Sequence, residues 1–68
     1  MTRVVSSNLY AVGYNGALKV LTIQFRNGSV YEYYNVPEMV YRALMSATSK
    51  GVYASRYIYR RYLQSKIR

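Results

Sequence analysis

The sequence predicts an α+β domain in which a three-stranded antiparallel meander is followed by two short helices packed on one face of the sheet. Two Asn-Gly pairs, Asn15-Gly16 and Asn27-Gly28, separate segments rich in Val, Ile, Leu, Phe and Tyr, which is the pattern of two hairpins in series. Beyond Pro37 the apolar spacing changes from two to about 3.6, the helical period. The chain has 68 residues, 51% of them hydrophobic and 16% aromatic, enough for one compact core and one domain over 1–68. Disordered chains lack this apolar content, so the high charge does not signal disorder.

The middle strand is expected over 17–26, where Leu21, Ile23 and Phe25 point to the core and Thr22 and Gln24 point away. In the second hairpin, a two-residue turn sets Glu32 across from Ile23. A one-residue bulge at Gly28 instead sets Tyr31 across from Ile23 and Tyr33 across from Leu21. The bulged register is the expected one, because it buries Tyr31 and Tyr33 against the first helix and leaves Glu32 exposed beside Thr22. In the first hairpin Leu9 and Val12 cannot both face inward on a regular strand, and that register stays open.

Pro37 suits the first position of a helix, and Glu38 complements the positive end of its dipole. This helix should run over about 37–48, with Val40, Ala43, Leu44 and Ala47 inward and Glu38, Arg42, Met45 and Ser46 outward. Gly51 after Ser49-Lys50 reads as its left-handed stop. Ser55 can cap a second helix over about 56–65, with Ile58, Tyr59, Tyr62 and Leu63 on the apolar arc and Arg56, Arg60 and Arg61 opposite.

The succession Ser6-Ser7, Gly13-Tyr14, a strand ending in Phe25, Asn27-Gly28, Tyr31-Glu32-Tyr33, Val36-Pro37, Ala47, Ser49-Lys50-Gly51, Ile58 and Tyr62 resembles the KTSC domain. That domain also occurs at the C-terminus of some lysyl-tRNA synthetases, and the resemblance covers about Val4 to Tyr62. What the resemblance implies is limited to a suggested role in RNA binding, chiefly through the synthetase connection. The chain departs from the family pattern at Ala54-Ser55, where Phe and Asn are more familiar.

Ten Lys and Arg face only Glu32 and Glu38, for a formal net charge of +8. That excess attracts polyanions, and nucleic acid is the leading partner. No enzymatic activity, metal or cofactor is expected, because His and Cys are absent and the two carboxylates have no reason to converge. No stretch approaches the roughly 20 apolar residues that span a bilayer, and Met1 to Ser7 lacks the apolar run of a signal peptide. A cytoplasmic location is the expectation.

The candidate nucleic-acid-binding residues are Lys50, Arg56, Tyr57, Arg60, Arg61, Lys66 and Arg68, a tail free of acidic residues and interleaved with tyrosines. Guanidinium groups pair with phosphates and exposed rings stack on unpaired bases, so the mixture suits RNA or a single strand better than a duplex groove. Tyr57 is the leading stacking candidate, whereas Arg42 is expected to pair with Glu38 one helical turn away. The same tyrosines and arginines also suit a protein-interaction or self-associating module, the alternative reading.

Overall fold

The computed structural model describes residues 1–68. Five strands form one antiparallel sheet in the order β1-β2-β3-β4-β5: β1 Thr2–Arg3, β2 Leu9–Asn15, β3 Val20–Phe25, β4 Val30–Tyr33 and β5 Gln64–Lys66. Two helices, α1 Glu38–Ser46 and α2 Lys50–Tyr57, lie between β4 and β5 in the chain. The fold class is α+β as expected, but the sheet has two more strands than the meander, one at each edge. β1 is only two residues long and β5 is Gln-Ser-Lys, so neither carries the apolar alternation that announces a strand.

Register decides which side chains reach the core. Leu21 pairs with Tyr33, Thr22 with Glu32 and Ile23 with Tyr31, the bulged alignment. Gly28 holds φ at +92°, where a side chain is strained, and its N–H donates to the Phe25 carbonyl at 3.0 Å. The Asn27 Oδ1 accepts from both the N–H and the hydroxyl of Ser29, at 3.0 and 2.7 Å, which locks the far side of the turn.

A second irregularity settles the first hairpin. Leu9 pairs with Phe25 and Ala11 with Gln24, so Tyr10 is an extra residue, and Leu9 and Val12 both reach the inner face, where each is fully buried. The turn before β3 is wider than two residues. Asn15 Oδ1 accepts from Leu18 N–H at 3.1 Å and Lys19 adopts a left-handed φ of 56°, so the strand begins at Val20 and not at Ala17.

Both helices pack on the inner face, but their boundaries differ from expectation. α1 ends at Ser46, and Lys50 Nζ donates to the Ala47 carbonyl at 3.2 Å just beyond its end. Leu44 is buried, and Met45, expected outside, packs against the core beside Val40 and Tyr41. The Tyr14 ring stacks on Tyr41 at 4.8 Å while its hydroxyl donates to the Val36 carbonyl at 2.6 Å, tying α1 to β2.

Ser49, not Ser55, starts the second helix, its hydroxyl accepting from Val52 N–H at 3.4 Å. Gly51 therefore lies in the first turn of α2 and is no left-handed stop. A Cβ there would stand 2.8 Å from Asn8 Oδ1, so glycine serves a close approach of the loop before β2. α2 ends at Tyr57, about eight residues short of the expected 65. Past it the chain turns, with Ile58 buried, and extends into β5, because the free edge of β4 has backbone groups to pair: Tyr34 N–H donates to Leu63 O at 2.9 Å. Leu63, expected on the apolar arc, is exposed as a result.

If Gly28 is required by its positive φ, Gly28→Ala should lower stability by about 1–2 kcal/mol. For a domain of this size that corresponds to a melting midpoint roughly 4–8 °C lower per kcal/mol. An unchanged midpoint in thermal unfolding followed by circular dichroism would show that the turn does not depend on that conformation.

Candidate binding surface

The seven sequence-predicted residues are divided among three parts of the fold and do not share one helix. Lys50 is half-buried and bonded to the Ala47 carbonyl, which holds its ammonium group at the junction between α1 and α2. Arg56 is exposed on α2 and lines a shallow polar depression with Ser7, Asn8, Ser49 and Ser55. Tyr57, at the end of α2, is 45% exposed, its ring 4.8 Å from that of Tyr53 and 5.8 Å from the Arg61 guanidinium carbon. The Arg61 contact is within the range of a cation–π pair.

Arg60 and Arg61 are exposed in the turn after α2. Lys66 lies on β5 directly opposite Tyr31, and the backbone of Arg68 exchanges N–H···O bonds with Val30 at 3.0 and 3.2 Å. Tyr57 and Arg61 are thus brought together by the turn, whereas Lys66 and Arg68 are carried to the sheet edge.

Neither carboxylate offsets these cations. Glu38 accepts from Arg42 at 2.9 Å across an exposed i,i+4 pair on α1, as its spacing implies. Glu32 accepts from the Tyr34 hydroxyl at 3.1 Å on the outer face of the sheet, where it is half-buried and not fully exposed.

The structure adds a feature that the sequence reading assigned wholly to the core. A cleft of about 380 Å³ opens over Phe25, Tyr31, Tyr33 and Tyr59, with Asn27, Ser29 and Gln64 around it. The four rings make a closed circuit: Phe25–Tyr31 at 5.8 Å, Tyr31–Tyr33 at 6.4 Å, Tyr33–Tyr59 at 6.0 Å and Tyr59–Phe25 at 6.0 Å. Tyr33 is only 2% exposed, but Phe25, Tyr31 and Tyr59 are half-open. The ring stacked on Tyr33 from the helical layer is Tyr59, from the turn after α2, and not a residue of the first helix. The same-face spacing of Tyr31 and Tyr33 was the available signal, but alternation alone does not tell a filled core from a cleft floor.

Burial pushes the Tyr33 phenol well above its ordinary value of 10.0, with Tyr59 and Tyr31 adding to the effect. Burial also raises Tyr59, whose hydroxyl is enclosed without a hydrogen-bond partner in good geometry; the Asn8 side chain offsets part of that rise. Tyr14 and Tyr53 are raised too, chiefly by loss of hydration, then by Glu38 for the first and by Tyr62 and Tyr57 for the second.

Comparison with known proteins places the chain in a family. The model of the KTSC domain matches residues 5–62. A crystal structure of a KTSC domain protein from Yersinia pestis superimposes with a TM-score of 0.94 at 38% identity, covering 98% of this chain and 94% of that one. A protein of Tsukamurella paurometabola is 41% identical over 51 residues, 75% of this chain and 76% of its own length. A lysine–tRNA ligase of Trichormus variabilis is 44% identical over 45 residues, 66% of this chain but 8% of the ligase.

The four raised phenols set the behaviour at high pH. Each is held neutral in the folded chain above its unfolded pKa near 10.0, so its contribution is complete below that value and is lost as pH rises toward the folded pKa. Stability should therefore fall as pH climbs beyond about 10. Of the ten tyrosines, Tyr33, raised furthest, should ionise only together with unfolding in a titration of tyrosinate absorbance. A single smooth titration of all ten with no loss of structure is the contrary outcome.

Proposed function

The chain belongs to the KTSC domain family, and we propose that it is a small, non-enzymatic binding domain for RNA or single-stranded nucleic acid. The observation that carries this reading is the Tyr57 ring, 45% exposed at the end of α2 and flanked by Tyr53 and by the Arg61 guanidinium. A half-open ring beside exposed cations suits a flexible strand, whose phosphates take the charge and whose splayed bases take the ring. Arg56, Arg60, Lys66 and Arg68 extend the cationic surface, and no acidic residue follows Glu38 in the chain to neutralise it. Phosphate contacts dominate such an interface, which makes sequence preference weak. The kinship with part of a lysine–tRNA ligase is consistent with an RNA partner, and a cytoplasmic setting fits the same reading.

The rival reading, a protein-interaction module, draws on Met39 and Leu63, apolar side chains that are each 80% exposed. Self-association in light scattering, with no RNA retained at low salt, would favour it.

If the basic surface neutralises about four phosphates, log affinity for single-stranded RNA should fall with log salt at a slope of about −3. Arg60→Gln combined with Arg61→Gln should weaken binding while the fold persists, because both side chains are exposed. Tyr57→Ala should cost about 1–3 kcal/mol on single strands and less on duplexes. Retention of full RNA affinity by the folded double variant would move the site away from the turn after α2.

A further inference from the structure

We infer that the aromatic cleft between the β3–β4 turn and β5 is a subsite for one unpaired nucleobase of a bound strand, separate from Tyr57. This rests on the reading of the domain as a single-strand binder and adds a second stacking position to it. The cleft is shallow and open, with about 380 Å³ of space, so it can receive one face of a flat group without enclosing it.

Its floor and rim ask for the same ligand. The floor is aromatic, with Phe25 and Tyr31 set nearly perpendicular at 86° and both half-open, so a flat ring can lie on one face and meet the edge of the other. On the rim, the exposed Gln64 amide is bonded to no other side chain, and an amide both donates and accepts, as the edge of a base requires. Asn27 and Ser29 are already bonded to each other, which makes that wall a fixed one.

Charge selects among flat ligands. Lys66, paired with Tyr31 across β4 and β5, projects from the same face of the sheet as the Tyr31 ring. Neither Glu32, on the outer face, nor Glu38, bonded to Arg42, lines the cleft. An aromatic floor, an amide at its edge and a lysine beside it complement a group that is planar, hydrogen-bonding and attached to a phosphate. An apolar peptide side chain would use the floor alone and leave Gln64 and Lys66 without a role.

The test compares a uridine-rich RNA oligonucleotide with an abasic strand of equal length and charge, by fluorescence anisotropy. The strand with bases should bind at least about ten-fold more tightly, the scale of one base–aromatic stack. Tyr31→Leu, which keeps an apolar side chain, and Gln64→Ala, at an exposed position, should each lower that ratio several-fold, leaving the part of it that Tyr57 supplies. If Tyr31→Leu fails to fold, Gln64→Ala decides alone, since Gln64 is outside the core. Equal affinity for the two strands would overturn the subsite and leave the phosphate-binding reading standing. A ratio unchanged in a folded variant would assign all of the stacking to Tyr57 and overturn the subsite as well. Absence of binding to either strand would overturn both. Uridine monophosphate binding as tightly as the oligonucleotide, lost in Gln64→Ala, would make the occupant a free nucleotide and overturn the strand assignment.

Discussion

Strand register is the constraint on which the rest of this domain depends. Leu9, Val12, Leu21, Ile23 and Tyr33 can share one face only because each hairpin carries an extra residue, Tyr10 in the first and Gly28 in the second. A slip of one position in either would send Leu9 or Tyr33 to the outer face and bring polar side chains such as Thr22 or Glu32 inward. The same alignment that fills the core also places Phe25 and Tyr31 at its margin, where the helices do not cover them. Core and cleft are therefore products of one register.

Electrostatics follow from how few carboxylates there are and where the fold puts them. Glu38 is paired with Arg42 on an exposed turn of α1, and Glu32 is bonded to Tyr34 behind the sheet. The positive charge near α2 and β5 is left to be met by a partner. Some of it is already in use within the molecule, however. Lys50 bridges to the end of α1 and Arg26 donates to the Ser6 carbonyl at 2.8 Å, so these two head groups keep their charge but are held in place by the fold.

Much of the sheet was legible in the sequence, because Leu21, Ile23 and Phe25 alternate and the Asn27-Gly28 pair has one reading that sets Tyr31 and Tyr33 on their face, although only Tyr33 is buried there. The helical half was less so. Ser49-Lys50-Gly51 reads as the end of the first helix, whereas Ser49 caps the second and Gly51 lies in its first turn beside Asn8, a contact between residues far apart in the chain that no local pattern announces. β5 was illegible in principle, since Gln64, Ser65 and Lys66 become a strand to satisfy the backbone edge of β4 and not through any pattern of their own. The site suffered accordingly. Arg60 and Arg61 were expected on a helix and occupy a turn, while Lys66 crossed to the sheet. The part of the surface made by Phe25, Tyr31 and Tyr59 was hidden by its resemblance to core.

The position of β5 gives the domain a latch. It lies next to β4 in the sheet, although both helices intervene in the chain, and all three of its residues are exposed. Closing so long a connection costs loop entropy, which three exposed residues repay through backbone pairing and not through burial, so this strand belongs to the part of the sheet most open to local detachment. The amides of Val30 and Tyr34, which depend on Arg68 and Leu63 for their acceptors, are freed when it lifts, whereas those between β2 and β3 are not. Gln64 and Lys66 travel with it. A ligand gripped by those two side chains holds the latch shut, so occupancy of the cleft and order at the edge of the sheet are thermodynamically linked.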